Sequence, residues 1–245
     1  MPGLGTAINV AAIVVGSSVG VLLGHRLPQR TRDTVTDALG LVTLVIGGLN
    51  VVALRDDVFV DAVGSGITLL VVLAALLIGG IAGSLLKIEA RLEQAGGWLQ
   101  SRLASGASEG RAKFVEGFVD SSLIFCIGPL AVLGSLSDGL GQGIDELALK
   151  SSLDGFAAVA FAASLGWGVA ASALSVGLWQ GALTVLAVLL GSALSPALVS
   201  AITATGGMLL LGVGLRLLAI KAVPVGDMLP ALIVAPVVTA VIMAF

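Results

Sequence analysis

A chain of 245 residues that is 57% hydrophobic and only 11% charged is not a soluble domain, because soluble domains carry about 25% charged residues. The formal net charge of −3 and the scarcity of basic residues argue against a nucleic-acid partner. The single cysteine, Cys126, and the single histidine, His25, exclude an internal disulfide framework and a conventional zinc site. We therefore predict neither a metal nor a cofactor.

Apolar stretches of about 20 residues, the length that crosses the hydrocarbon core of a bilayer, recur along the whole chain. They predict an all-α integral membrane protein with about eight transmembrane helices in a single transmembrane domain (1–245). The predicted spans are residues 4–25, 34–54, 65–86, 113–136, 147–172, 176–194, 202–220 and 227–245.

One connection, residues 87–112, is long and mixes apolar residues such as Trp98 and Leu99 with charged ones. This pattern predicts an amphipathic helix that lies in the membrane interface. Basic residues also predict the orientation, since they collect on the cytoplasmic side. With the N-terminus outside, every lysine and arginine except Arg55 and Lys150 faces the cytoplasm. We therefore predict that both termini lie outside.

Spans four and five leave two topologies open, since a re-entrant hairpin would not change the orientation of any later span. The tip of such a hairpin, residues 138–146, carries three acids, and these would be stranded at membrane depth. Two full crossings avoid this cost and are favoured.

An internal similarity relates the two ends of the chain. Leu22-Leu-Gly-His-Arg-Leu27, followed by Gly40, is similar to Leu189-Leu-Gly-Ser-Ala-Leu194, followed by Gly207, at a constant offset. Spans one to three would then match spans six to eight in inverted orientation, a common arrangement in transporters. The halves of this predicted inverted repeat are residues 1–136 and 137–245.

Two carboxylates, Asp120 and Asp154, lie within predicted spans four and five, where ionisable side chains are expensive and usually functional. Each lies about 10 Å from one end of its span, so one acid falls in each half of the membrane. Serine hydroxyls next to them would complete an oxygen-rich site for an ion or a proton. Pro129 breaks span four and frees backbone carbonyls, as in the discontinuous helices of transport sites. The predicted substrate or ion path contains Glu116, Asp120, Ser121, Ser122, Gly128, Pro129, Lys150, Ser151, Ser152 and Asp154.

Structural roles for the same residues remain open. Lys150 and Asp154 are i,i+4 neighbours and would form a salt bridge. Glu116 would extend to the membrane surface. The break at Gly128-Pro129 would be an ordinary packing kink.

The uncharged polar residues Asn9, Asn50 and Gln180 lie in predicted spans one, two and six. They would either make hydrogen bonds between helices or contact a substrate. Stripes of small residues mark packing or dimer faces, and they suggest a homodimer. These stripes contain Gly16, Gly20 and Gly24 in span one, and Gly79 and Gly83 in span three.

Enzymatic motifs are absent or misplaced. Gly16-Ser-Ser-Val-Gly20 matches the serine-hydrolase pattern. That pattern requires a strand–turn–helix context and a nearby base, whereas this segment lies inside a predicted apolar helix. The sequence contains neither a phosphate-binding loop nor a His-Glu-x-x-His motif. We therefore do not expect an enzyme.

Several longer motifs run through the chain. They are Phe114-Val-Glu-Gly-Phe-Val-Asp-Ser-Ser-Leu-Ile-Phe-Cys-Ile-Gly-Pro129, Gly134-Ser with Asp138-Gly-Leu, Lys150-Ser-Ser-Leu-Asp-Gly155, Phe161-Ala and Gln180-Gly181. Together with the opening Gly-Thr-Ala-Ile-Asn9 and Leu-Gly-His-Arg-Leu-Pro28, they resemble the DUF554 (YdfK/YqgA-like) family of bacterial multi-pass membrane proteins of unknown function. The resemblance implies residence in the bacterial cytoplasmic (inner) membrane and a transporter-like protein. The signature residues of that family fall on Glu116, Asp120, Ser121, Ser122, Gly128, Pro129, Lys150, Ser151, Asp154 and Gly155.

Two functions fit these observations. The first is a secondary transporter or channel for an ion or small solute, with a path along spans four and five past Asp120 and Asp154. The second is a membrane scaffold or assembly protein whose buried acids are structural. The predicted partners are the lipid bilayer, a small ion or solute, and a second copy of the chain.

Overall fold

The computed structural model describes residues 2–24, 28–103, 108–126, 129–190 and 195–244, and within these ranges every regular element is a helix. A 3₁₀ turn, Val52–Arg55, follows the second α-helix. The α-helices are α1 (Leu4–Gly24), α2 (Gln29–Val51), α3 (Asp57–Val63), α4 (Ile67–Leu86), α5 (Ile88–Leu103), α6 (Ser108–Cys126), α7 (Pro129–Gly139), α8 (Asp145–Leu165), α9 (Gly168–Leu190), α10 (Pro196–Leu217), α11 (Val225–Met228) and α12 (Ala231–Met243).

The helices have the length and the surface of membrane spans. Among the described residues, α1, α2, α4, α8, α9, α10 and the segment Val225–Met243 are each long and apolar enough to cross a bilayer, and the bent pair α6–α7 brings the number to eight. Large apolar side chains lie on their outer surfaces; Leu85 and Leu178 are 79% and 77% exposed. Such an apolar surface suits lipid rather than water. The predicted all-α membrane architecture is confirmed.

Some predicted boundaries are wrong. The predicted fifth span, 147–172, runs through a turn, because α8 ends at Leu165 and Gly166 has a φ of 78° that favours glycine. The next helix therefore begins at Gly168 instead of at residue 176. The predicted seventh span begins six residues too late, since Pro196 forms the first turn of α10, a position that suits proline.

Two further helices occupy connections. The short α3 was not predicted; the Asp56 side chain accepts a hydrogen bond from the Val58 amide at 3.3 Å and caps its first turn. The segment predicted as one interfacial helix, 87–112, holds α5 and the first residues of α6, which begins at Ser108. The position of α5 at the membrane interface stays a prediction.

The helices form two compact units whose segments alternate along the chain. Unit 1 consists of Met1–Leu39, Leu92–Cys126 and Leu130–Gly191, and unit 2 of Gly40–Arg91, Ile127–Pro129 and Ser192–Phe245. The predicted repeat halves, 1–136 and 137–245, divide the chain differently and stay a prediction.

In unit 1, α1 and α8 run side by side in the same direction with their backbones in contact. A Cβ atom on any of the three glycines of the α1 stripe would collide with the backbone of α8. The contacts pair Gly16 with Gly155, Gly20 with Val159, and Gly24 with Ala163. Small residues permit such close approach of helices in lipid. This stripe is therefore a packing face within the chain and gives no support to a homodimer, which stays a prediction.

The pair α6–α7 crosses the whole of unit 1. α6 begins where α1 ends, since Lys113 and Gly24 line the same small cavity. α7 ends where α1 begins, since Asp138 accepts hydrogen bonds from the amides of Gly3 and Gly5 at 3.0 and 3.1 Å. The two helices are bent by 78° at the break between them. Together they extend from one end of α1 to the other, which agrees with two full crossings, and the topology itself stays a prediction.

In unit 2, α2 and α10 cross in opposite directions at two glycine pairs. Gly47 lies against Gly207, and Gly40 lies against Gly214. The offset that relates Gly40 to Gly207 also relates Gly47 to Gly214, so the two contacts would exchange under the predicted repeat. Contacts of this kind are what an inverted repeat with a twofold axis between α2 and α10 requires.

The remainder of unit 2 is fixed by an apolar core and by a charged contact. The core surrounds Phe59 between α3, α4, α10 and α12. At the start of α5, Glu89 forms an ion pair with Arg216 at 2.6 Å and accepts a hydrogen bond from the Gly226 amide at 3.1 Å. Asp227 in turn accepts from the Glu89 amide at 2.9 Å. These bonds hold α5 against α10 and α11.

The glycine contacts predict a sharp difference between two positions of α4. A Cβ atom at Gly83 would collide with the Asp227 backbone, whereas at Gly80 the nearest atom is the side chain of Met228 at 3.8 Å. We expect Gly83→Ala to lower the free energy of unfolding by about 1–3 kcal/mol, the usual cost of overpacking. The matched control Gly80→Ala should be neutral or slightly stabilising, because alanine favours the helix. Thermal unfolding in detergent measures both, and equal midpoints would contradict the packing.

Candidate functional site

A buried ion pair occupies the interior of unit 1. Asp154 of α8 pairs with Lys150, one helical turn earlier, and both side chains are buried. Asn9 of α1 donates a hydrogen bond to the same carboxylate at 2.9 Å. The Asn9 amide also donates to the Oε1 atom of Gln180 on α9 at 3.3 Å. The Asn9 amide therefore links three helices, since it binds the carboxylate of α8 and the Gln180 side chain of α9, and the predicted salt bridge and interhelical hydrogen bonds are confirmed.

The depth of this pair follows from helix geometry. Asp154 lies about 13 Å along α8 from its first residue, which is near the middle of this 21-residue helix. A single charge at this depth would be strongly disfavoured. Lys150 cancels the charge of Asp154, and the Asn9 amide satisfies one carboxylate oxygen.

The break between α6 and α7 lies beside the pair. Cys126, the last residue of α6, is close enough to Lys150 and Asp154 to interact with both charges. Phe125 packs edge-on against Phe161 of α8, with ring centroids 6.1 Å apart, and fixes the end of α6. Pro129 is the first residue of α7, a position that proline favours. Gly128 lies outside the described residues.

Asp120 occupies a different level of unit 1. It is completely buried on α6, near the level at which Gly117 packs against Leu165 at the end of α8. At about 1.5 Å per residue, Asp120 and Asp154 are about 12 Å apart along the helix axes. The two acids thus lie at separate levels of unit 1, and their depths in the membrane stay a prediction.

Serines near Asp120 differ in their surroundings. Ser121 is completely buried, and its hydroxyl has no hydrogen-bond partner in the described part of the chain. Ser122 donates to Ser175 of α9 at 3.0 Å and so joins α6 to α9.

The remaining candidates lie outside this cluster. Glu116 is exposed, which agrees with the alternative in which it extends to the surface. Ser151 and Ser152 donate to backbone carbonyls one turn earlier, at 2.6 and 3.2 Å, so they serve their own helix rather than Asp154. Asn50 is partly exposed and belongs to unit 2.

Three buried polar residues were not predicted as site residues. Asp138 is 2% exposed and binds two amides at the start of α1, where the helix dipole favours a negative charge. Thr6 of α1 and Thr184 of α9 are buried, and their hydroxyls have no partner in the ranges that the structure covers. No sequence signal distinguishes such threonines, because small hydroxyl residues are common in packed membrane helices.

The chemistry of the cluster is that of a single neutral pair surrounded by amides. Within the described ranges, no group of three or more His, Cys, Asp or Glu side chains could hold a metal ion. Ser18, the serine of the hydrolase-like pattern, donates to the Val14 carbonyl at 2.7 Å. What the pair can do is change its net charge by taking up one proton at Asp154, or exchange its internal bonds for bonds to a polar solute.

Comparisons with known proteins agree with the fold. The model of the family described as "Protein of unknown function (DUF554)" matches residues 4–240. The "Uncharacterized membrane protein YdfK" of Bacillus subtilis is 30% identical over 243 residues, 98% of this chain and 97% of that protein. The "Uncharacterized protein YqgA" of Escherichia coli is 32% identical over 233 residues, 95% and 94% of the two chains. No solved structure matches.

The burial of the ion pair predicts how its members respond to substitution. Lys150→Met leaves the Asp154 carboxylate without its counter-charge, and we expect a loss of about 3–5 kcal/mol in the free energy of unfolding. The double variant Lys150→Met/Asp154→Asn removes both charges and should recover most of this loss. Asp145→Asn, at an exposed position of the same helix, is the control. Denaturant unfolding in detergent gives the coupling energy, and additive losses would contradict a paired, buried site.

Proposed function

This chain belongs to the DUF554 family, and we propose that it is a secondary transporter or channel for an ion or a small solute. The proposed path runs through unit 1, past Asp120 and Asp154. We propose no enzymatic activity. The coarser conclusion, a multi-span membrane protein, is already established by the fold and by its relatives.

One observation carries the proposal. An ion pair lies near the middle of a membrane-spanning unit; a neutral amide of α1 binds it, and that amide is itself bonded to a neutral amide of α9. Replacing such a pair by apolar residues would often be neutral or stabilising, so stability alone gives little reason to place it there. Ionisable residues at this depth usually serve a path for ions or solutes.

The break beside the pair supports the same function. Helices interrupted within the membrane expose backbone groups and concentrate substrate and ion sites near the midplane in many transporters. Cys126, at the end of α6, interacts electrostatically with both members of the pair. The discontinuity therefore lies where a bound ion or solute would contact Asp154.

We further propose residence in the bacterial cytoplasmic membrane with both termini outside. Eight crossings return the chain to the side on which it started, and the positive-inside rule puts the basic segment around α5 in the cytoplasm. The connection between α7 and α8 then lies outside.

A scaffold or assembly role is the second candidate, and one observation favours it. Lys150, Asp154 and Asn9 bond to one another, so the pair also fits a purely structural contact. This role predicts that charge-neutral variants change stability or complex yield and never a flux.

Flux measurements on the purified protein in liposomes separate the two candidates. With a trapped pH dye and imposed proton, Na⁺, K⁺ and small-anion gradients in turn, we expect a protein-dependent flux. We expect Asp154→Asn and Asp120→Asn each to reduce it by at least about tenfold, since both remove an intramembrane carboxylate from the path. Asp145→Asn, at an exposed position of α8, should retain the flux of the wild type.

Each variant is first compared with the wild type by gel filtration, so that a loss of flux is not a loss of folded protein. Unchanged flux in both acid variants would overturn the proposed path. A folded protein without flux under any gradient, together with a changed complex yield, would support the scaffold.

The topology is tested with single cysteines in a Cys126→Ala background. Ser101→Cys in α5 should react with a membrane-impermeant thiol reagent only in inside-out vesicles. Gln142→Cys, exposed between α7 and α8, should react only in right-side-out vesicles, because the α6–α7 pair crosses the membrane between these positions. Reaction of both from one side would contradict the topology.

A further inference from the structure

A cavity of about 400 Å³ opens between α1 and α9 at the end of unit 1 where α1 begins. Most of its wall is apolar, yet the hydroxyl-bearing residues Thr6 and Thr184 both line it. These residues are only 8% and 4% exposed. Neither hydroxyl has a hydrogen-bond partner in the described part of the chain.

A second pair of unsatisfied groups lies about one helical turn deeper. Asn9 follows Thr6 on α1, and Gln180 precedes Thr184 on α9. Both amides are completely buried, and the Asn9 Oδ1 and Gln180 Nε2 atoms lack partners among the described residues. Each buried polar group without a hydrogen-bond partner lowers the stability of the fold by about 1–3 kcal/mol. Four such groups in two adjacent levels therefore require an explanation.

The two levels end at the ion pair. The amide of Asn9 that contacts Gln180 also donates to Asp154. Polar groups thus follow one another from the cavity, through the threonine level and the amide level, to the carboxylate. At least one water molecule at each level would satisfy the four groups, since a buried water makes about three hydrogen bonds to otherwise unsatisfied atoms.

We propose that Thr6, Thr184, Asn9 and Gln180 form a hydrated path that carries protons between this cavity and Asp154. The inference rests on the transport function proposed above and names the ion that its path conducts. The Asn9–Gln180 hydrogen bond closes the inner end of the path. When this bond breaks and the two side chains move apart, water reaches the Asp154 carboxylate.

The charges around Asp154 explain why the proton fits best. Lys150 on the same helix neutralises the carboxylate, the Cys126 thiol of α6 lies within electrostatic range of it, and α1 and α9 present only the neutral Asn9 and Gln180. A metal cation would meet the Lys150 ammonium, and the Asp138 carboxylate beside the cavity already accepts hydrogen bonds from the amides of Gly3 and Gly5. A hydronium ion instead gives its proton to the carboxylate, which leaves one water molecule and a neutral carboxylic acid. The net charge of the pair then rises from zero to +1, and the bond that holds Lys150 is weakened.

Cysteine labelling tests the water path without reference to transport. In a Cys126→Ala background, Thr184→Cys is compared with Leu186→Cys, which lies on the same helix, is 40% exposed and does not line the cavity. A thiol reacts with a charged methanethiosulfonate only as the thiolate, which forms in water and not in lipid. We expect the buried Thr184→Cys to react at least about tenfold faster than the more exposed Leu186→Cys. The reagent is added to right-side-out and to inside-out vesicles, so the result does not depend on the orientation.

Equal or slower reaction at Thr184→Cys would overturn the path, since a lipid-filled or dry groove excludes the reagent. Gel filtration of both variants shows that they are folded.

Proton flux into liposomes completes the test. We expect Thr184→Val and Gln180→Leu each to lower the proton flux several-fold. Imposed Na⁺ and K⁺ gradients should drive no flux in the wild type or in either variant. A wild-type flux of Na⁺, K⁺ or a small anion with no proton component would overturn the proton assignment and leave the transport function intact. Proton flux that survives both variants, with Thr184→Cys unreactive, would overturn the path alone. A reactive Thr184→Cys in a protein without any flux would overturn the transport function and the proton assignment together.

Discussion

The close contact between α1 and α8 is the constraint on which the interior of unit 1 depends. Glycine at three successive turns of α1 lets its backbone touch that of α8, and in lipid such contact is a main source of helix association. The two helices run in the same direction in fixed register. Asn9 is thereby held at the level of Asp154, where its amide reaches the carboxylate. A side chain larger than hydrogen at any of these glycines would separate the helices and leave the carboxylate short of a donor.

The ion pair is the second element that depends on this packing. Charges attract strongly at low dielectric, but their removal from water is costly, and the two effects nearly cancel. Lys150 and Asp154 are therefore held in the membrane interior at little net gain, with a charge that one proton would change. The break between α6 and α7 adjoins this pair, and a polar series leads to it from the cavity between α1 and α9. These features together make unit 1 the part of the molecule where transport is proposed.

Local spacing predicted part of the site. The four-residue separation of Lys150 and Asp154 already places them on one helical face, and the structure contains their ion pair. Nearness along the chain gave the wrong partner for Ser151 and Ser152, because a serine in a helix can donate to the backbone carbonyl one turn earlier. Nothing in the sequence showed that Asn9 meets Gln180 or that Asp138 caps α1, since these contacts join residues more than one hundred positions apart. Thr6 and Thr184 resemble any other small residue of a membrane helix.

The sequence by itself determined what hydrophobicity and short-range geometry control: an all-α chain of about eight spans, a break at Pro129, an acid at each of two depths, and membership of a family. Each of these depends on composition or on neighbours within one or two helical turns. Only the tertiary structure decided that α6 and α7 together extend along the length of α1, that α8 ends at Leu165, and which buried polar groups lie together. In a protein built from similar apolar helices, the partners of a helix are chosen by the fit of small residues along its whole length. That fit involves distant segments simultaneously, and no single segment of the sequence contains it.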